Sequence, residues 1–201
     1  MPQETTTPIL TERFDEALAY VAHLHRTQLR KGGDIPYLGH LLSVSSLVIE
    51  GGGTEAQVIA GLLHDAVEDQ GGAPILAEIR AKFGDGVATI VDQCSDTDVV
   101  PKPPWKARKD AYIAHLDTAT DDTILVSLAD KLDNARAILR DYRVHGPDLW
   151  TRFSVKDPQE HLWYYGSLLA VFKDKNKTWL VDELERVLGE LTTLVAGSPN
   201  A

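Results

Sequence analysis

Four residues of metal-ligand type sit among apolar helical neighbours in this sequence: His40, the adjacent pair His64 and Asp65, and Asp130. Asp65 follows Leu62 and Leu63, and Asp130 lies inside ILVSLADKL. Charged side chains are seldom buried without a partner, and a divalent cation held between these residues accounts for both carboxylates. Two imidazoles and two carboxylates make a mixed nitrogen and oxygen set that suits Mn²⁺ or Fe²⁺ and tolerates Zn²⁺, with positions left over for water and substrate. Taken singly, each of the four is ordinary, because lone helical His and Asp residues are mostly packed or solvated. Their order along the chain is what gives the set meaning.

The elements that must position them read as helices. From Thr11 to Leu29 the residues Phe14, Leu18, Val21, Ala22, His25 and Leu29 recur at three- and four-residue steps, which predicts an amphipathic helix ended by Gly32 and Gly33. A second helix is expected over Tyr37 to Glu50, stopped by Gly51-Gly52-Gly53. Thr54 with Gln57 forms a capping box for a third, whose apolar face runs on through Val67 to Gly71-Gly72 and carries HDAVED in its C-terminal half. Helical patterns follow at Pro74–Phe83, Gly86–Gln93, Trp105–Leu116, Thr123–Tyr142 (capped by Asp121 or Asp122), Gln159–Phe172 and Lys177–Val195. The Asp- and Pro-rich stretch from Ser95 to Pro104 is expected to be irregular. No alternating strand pattern and no repeat appear. The expectation is an all-α chain of about eight to ten helices in one domain spanning 11–195, with flexible termini at 1–10 and 196–201.

Composition narrows the function classes. A chain of 201 residues suits a single sizeable domain, and 43% hydrophobic with 25% charged residues excludes disordered and low-complexity classes. No apolar run reaches the length of a membrane span, and Met1-Pro2-Gln3-Glu4-Thr5 lacks the features of a signal peptide, so a cytoplasmic protein with no membrane partner is expected. The single cysteine, Cys94, reads as a packed small residue rather than a nucleophile. A formal net charge of −10 repels polyanions and argues against a nucleic-acid partner. A small anionic ligand would need local attraction. Lys102, Lys106, Arg108 and Lys109 offer some, although a solvated helix face explains them equally well.

A lone His, then His-Asp, then a distant Asp in a buried helix resembles the HD phosphohydrolase superfamily. The segments HRTQLRKGGDIPYLGH, LLHDAVED and SLADKLDNAR sharpen the match: in this order they resemble the hydrolase domain of RelA/SpoT-type enzymes and the stand-alone small alarmone hydrolases. The likeness runs roughly from Phe14 to Arg140. It implies an HD-domain bundle in which His40, His64, Asp65 and Asp130 hold one ion, usually Mn²⁺, and Glu68 and Asp69 form a catalytic acidic pair. On a continuous helix, His64 with Glu68 and Asp65 with Asp69 would be i, i+4 pairs, placing the two acids one turn beyond the ligands on the same face. From there they would act on a water whose pKa the cation lowers.

For the substrate, the resemblance places Arg30 against the nucleobase, Lys31 and Lys131 near phosphate, and Asn134 near the nucleoside. Arg136 also matches, or only bridges acidic neighbours. RK at a helix end is equally explained by the helix dipole. Trp163, Tyr164 and Tyr165 are candidates for the pocket wall, Tyr164 foremost, with core packing as the other reading. The sequence departs from the family at Leu41, where Pro is common, in the CSDTDVVPKPP loop, and at Ala137, where a polar residue is common near the base.

The activity so implied is metal-dependent removal of the 3′-pyrophosphate of a purine nucleotide alarmone, such as (p)ppGpp or (p)ppApp, giving pyrophosphate and the nucleoside 5′-di- or triphosphate. No synthetase domain is expected, and the oligomeric state is left open. Two alternatives remain: an HD-type nucleotide phosphomonoesterase, and a non-catalytic helical regulator that binds an alarmone. The regulator would be expected to lack a metal ligand or the Glu-Asp pair, and this sequence lacks neither.

Overall fold

The computed structural model describes residues 10–95, 101 and 103–197. Of the expected flexible termini (1–10 and 196–201), residues 1–9 and 198–201 lie outside the described residues, as do Lys102 and residues 96–100 of the expected loop, while Ala196 is the last residue of a helix. Among the described residues there are nine α-helices: α1 (Glu12–Leu24), α2 (Leu38–Glu50), α3 (Glu55–Leu63), α4 (Ala66–Gln70), α5 (Ala73–Cys94), α6 (Trp105–Thr118), α7 (Asp121–His145), α8 (Pro158–Lys175) and α9 (Trp179–Ala196). A 3₁₀ segment, Gly146–Arg152, joins α7 to α8. The all-α class read from the sequence therefore holds, and no described helix is long and apolar enough to cross a membrane.

The long helix α7 is the axle of the bundle. Its flanks pack on α2, α3, α5, α8 and α9, and Ile124, Val126, Leu128, Ala129, Leu132 and Ala135 along it are fully buried. At about 1.5–3 kcal/mol for each buried large aliphatic side chain, this stripe fixes the helix that carries Asp130. Helices α2 and α3 meet closely where Gly61 faces Ser45: a Cβ on Gly61 would stand 3.3 Å from the Ser45 Cα. That approach brings His40, in the first turn of α2, towards His64, which caps α3.

Local signals in the sequence set several boundaries. The Thr54 hydroxyl accepts from the Gln57 backbone while the Gln57 side chain accepts from the Thr54 N–H, the expected capping box. A left-handed Gly84 (φ 85°) breaks α5 into the two helical stretches foreseen on either side of it.

Most helix ends shift by a few residues from expectation, and three of the differences are instructive. Helix α1 ends at Leu24, not Leu29, because the chain turns at His25 and Arg26 and then doubles back. Arg30 N–H donates to Ile35 O at 2.8 Å and Tyr37 N–H to Gln28 O at 2.9 Å, so Arg30 and Lys31 occupy a small hairpin closed by a bridge between Leu29 and Pro36. The helix-dipole explanation of the RK pair therefore falls. Helix α3 does not continue to Gly71: it ends at Leu63, and the short α4 starts only at Ala66. The cap of α7 is Thr120, whose hydroxyl accepts from Thr123 N–H at 3.4 Å; Asp121 and Asp122 lie in the first turn.

Candidate metal centre

The interruption between α3 and α4 falls on the His-Asp dipeptide. His64 retains helical angles, whereas Asp65 (φ −97°, ψ −1°) enters the sparsely populated bridge region where many active-site residues sit. The His64 Nδ1 lies 2.9 Å from Gly61 O, a carbonyl near the helix end that has lost its usual intrahelical donor. A carbonyl can only accept, so Nδ1 carries the proton and Nε2 is the nitrogen free for another role. His40 is held by the same logic: its Nδ1 lies 2.7 Å from the Asp133 carboxylate.

The two Nε2 atoms converge with two carboxylates. His40 Nε2 lies 3.6 Å from Asp65 Oδ2 and 3.2 Å from Asp130 Oδ1, and His64 Nε2 lies 3.0 Å and 3.5 Å from the same oxygens. Ligand atoms of His40, His64 and Asp65 all fall within 4.8 Å of one another. Two atoms each about 2.1 Å from one ion stand about 3–3.5 Å apart at octahedral or tetrahedral angles, which is the spacing found here. Both Nε2 atoms are buried and neither makes a hydrogen bond of acceptable geometry. The donor set and its orphaned nitrogens thus fit a divalent cation.

Electrostatics give the same picture. Burial disfavours the charged form of His40, but the carboxylates of Asp130, Asp133 and Asp65 around the ring outweigh it and raise the imidazole to about 9. For His64, burial is likewise outweighed by the charges of Asp65 and Asp130, and the group is held well above its ordinary value. Burial works against both carboxylates, yet His64 and His40 hold Asp65 well below the usual range, and Lys131 with His64 does the same for Asp130. The site is a cluster of anions that draws protons onto two imidazoles, and a cation would take the place of those protons.

A layer of hydrogen bonds surrounds the four residues. The Tyr37 hydroxyl donates to Asp65 Oδ2, and burial together with the charge of Asp65 keeps that hydroxyl protonated. Lys131 Nζ and Asn134 Nδ2 donate to the two oxygens of Asp130, each at 2.5 Å. Asp133 accepts from His40, from Ser43 Oγ at 2.5 Å and from Arg30 at 2.9 Å. Arg30 places its other terminal nitrogen 2.9 Å from Asn134 Oδ1.

Beside this cluster opens a cavity of about 440 Å³, lined by the hairpin (Arg30, Lys31), by Asn134, Ala137 and Asp141 of α7, and by Arg152 and Phe153. The pocket residue singled out in the sequence, Tyr164, does not line it. Its neighbour Tyr165 does, while Tyr164 is buried against Trp105 and Tyr165, with Lys109 Nζ 4.8 Å from its ring centre. Successive helical residues point in directions about 100° apart, and on α8 it is the Tyr165 direction that meets the cavity.

The remaining candidates are dispersed. Lys31 is exposed, with Nζ 5.9 Å from the Phe153 ring centre. Glu68 is half-buried in α4, and Asp69 is exposed and accepts from Gln28 Nε2 at 2.7 Å. The break at Asp65 removes the continuous helical face on which the acidic pair was placed. Arg136 bridges to Glu183 at 3.0 Å, away from the cluster. Lys106 is engaged by Asp110 and the Trp163 ring, and Arg108 donates to Pro103 O. Burial pushes the Cys94 thiol up, consistent with a packed residue.

Sequence reasoning missed Tyr37, Ser43, Asp133 and Gln28. Asp133 had a readable signal, since it stands three residues after Asp130 and therefore shares its helical face.

A model of the HD domain matches residues 17–158 of the chain. The guanosine-3′,5′-bis(diphosphate) 3′-pyrophosphohydrolase MESH1 of Xenopus tropicalis is 36% identical over 145 residues, covering 71% of this chain and 76% of that protein. Its counterpart in Danio rerio is 34% identical over 145 residues, with the same coverage of 71% and 76%. A solved structure described as a metazoan ortholog of SpoT that hydrolyzes ppGpp superposes with a TM-score of 0.75 at 27% identity, covering 91% of this chain and 97% of that one.

Proposed function

Because the chain belongs to the HD-domain family, we propose that it hydrolyses the 3′-pyrophosphate of a purine nucleotide alarmone of the (p)ppGpp or (p)ppApp type, using Mn²⁺ held by His40, His64, Asp65 and Asp130. The observation that carries this reading is the convergence of two orphaned imidazole nitrogens and two carboxylates beside a cavity whose wall includes Arg30 and Lys31. The reading takes residues 11–195 as one hydrolase domain working in the cytoplasm on a diffusible nucleotide.

When bound, the cation would lower the pKa of a water and stabilise negative charge on the phosphoryl group. In the net reaction a water oxygen bonds to the phosphorus attached at O3′, the P–O3′ bond breaks, and O3′ takes up a proton as pyrophosphate departs. Glu68 and Asp69 serve as the acid–base pair: one accepts a proton from water and the other supplies or orients one. The hydrogen bond from Gln28 to Asp69 Oδ2 favours one orientation of that carboxylate. Arg30, tied edge-on to Asp133 and Asn134, keeps its guanidinium plane available to stack on a base. Lys131 partly neutralises Asp130, and with Lys31 it lowers the repulsion that a −10 chain exerts on a polyphosphate. Tyr164 stands beside Lys109, within electrostatic reach of Lys131, and serves on the phosphate side of the substrate rather than at the base.

The test is an assay of the Mn²⁺-loaded protein on guanosine and adenosine 3′-pyrophosphates, with a nucleotide phosphomonoester in parallel. Release of pyrophosphate supports the proposal. Release of orthophosphate from the monoester alone would favour a phosphomonoesterase, and tight binding with no turnover a regulator.

A further inference from the structure

Asp133 is spoken for on every side. Its Oδ2 accepts from His40 Nδ1 at 2.7 Å and from Arg30 at 2.9 Å, and its Oδ1 accepts from Ser43 Oγ at 2.5 Å. The three donors come from the hairpin and from α2, so one carboxylate on α7 joins three separate pieces of chain. Its neighbour Asn134 closes a second path, accepting from Arg30 at 2.9 Å and donating to Asp130. Arg30 is thereby one residue removed from two of the cation-site residues, through Asp133 to His40 and through Asn134 to Asp130. His40 Nε2 and Asp130 Oδ1 lie 3.2 Å apart, which completes a ring.

We infer that Asp133 is a positioning residue that fixes His40 with Nε2 towards the cation and simultaneously sets the place of Arg30, so that the cation site and the base-facing arginine form one preorganised unit. A neutral histidine has one N–H, and an acceptor at Nδ1 decides that the ligating lone pair is on Nε2. Without that acceptor the ring can rotate or change tautomer. Arg30 needs a similar anchor, since a guanidinium on a long side chain otherwise samples many rotamers before it meets a base. Asp133 serves both needs with one group, and its side chain is 13% exposed, which shields the contacts from water.

This inference rests on the proposed cation site, and the experiment separates the two. Mn²⁺ is titrated into the full chain and followed by the paramagnetic signal of the free ion, for the wild type, Asp133→Asn, Arg30→Ala and Asp130→Ala. Asp133→Asn is expected to weaken Mn²⁺ binding by about 10–100-fold, as loss of a carboxylate behind a ligating histidine does, and by more than Arg30→Ala, which leaves the Asp133–His40 contact in place. At saturating Mn²⁺, Asp133→Asn and Arg30→Ala should each raise KM for the nucleotide. The double variant should raise it no further than Arg30→Ala alone, because both remove the same placement.

Wild-type Mn²⁺ affinity in a folded Asp133→Asn, or KM effects that multiply, overturns the inference. Retention of Mn²⁺ by Asp130→Ala would instead overturn the reading of the cation site itself. A measurement on the wild type guards against a variant that does not fold: in the Zn²⁺-loaded protein, long-range ¹H–¹⁵N spectra should show a proton on His40 Nδ1. A bare Nδ1 overturns the inference without any variant.

Discussion

Gly32 and Arg152 leave no room between them: a Cβ on Gly32 would stand 2.6 Å from the Arg152 Cδ, and the glycine holds φ at 77°. Arg152 in turn pairs with Asp141 at 3.4 Å across the wall of the cavity. Gly32→Ala should therefore cost about 1–2 kcal/mol for the left-handed backbone, with the displacement of Arg152 in addition. The expected result is a melting temperature several degrees lower, measured by calorimetry, together with a raised KM. An unchanged KM in a destabilised variant would mean that the hairpin and Arg152 do not shape the binding cavity.

Asp130→Ala should abolish activity and weaken Mn²⁺ binding by at least about 100-fold, more than loss of a supporting residue does, since it leaves two imidazoles and one carboxylate. Elemental analysis after dialysis checks it. EDTA should inactivate the wild type, and added Mn²⁺ should restore it.

Glu68→Gln should keep the metal and lower kcat by about 10²-fold or more, the scale of lost general acid–base catalysis. Metal loss would identify Glu68 as a ligand, and near-normal turnover would remove it from the chemistry. Gln28→Ala should lower kcat by less than Asp69→Asn does, because it frees the Asp69 carboxylate without removing it.

Arg30→Ala should raise KM more than it lowers kcat, since stacking stabilises ground state and transition state alike, by about 0.5–2 kcal/mol. Lys31 is exposed, so Lys31→Ala should reduce kcat/KM by an amount that shrinks at higher salt. Kinetics of both variants on guanosine and adenosine substrates at two salt concentrations decide the matter. Wild-type behaviour of Arg30→Ala on both bases would put the base elsewhere.

Much of this architecture was legible before any coordinate. The period of apolar residues gave every long helix, because tertiary burial selects one face and that selection is written in spacing. His40, His64, Asp65 and Asp130 were legible by residue type, as polar groups within apolar runs. The break at Asp65 was not: the apolar pattern runs on through Val67, and only tertiary placement of the His-Asp pair stops the helix there. The hairpin at Leu29–Pro36 was hidden for a related reason. His25 continues the apolar period of α1 but spends its burial on a hydrogen bond to Gln28 at 2.7 Å, which turns the chain. Tyr165 and Tyr164 could not be told apart, since which of two adjacent helical residues faces a cavity depends on a phase that the sequence fixes only loosely.

Helix α7 carries Asp130 at the cation cluster and, further along the same rod, Asn134, Ala137, Asp141 and His145 at the cavity. At 1.5 Å per residue, the span from Asp130 to His145 is about 22 Å. The cation cluster and the cavity wall are thus different rungs of one ladder. A substitution at Ala137 or Asp141 alters the cavity wall about two to three turns away from the cation cluster and leaves the residues of that cluster in place.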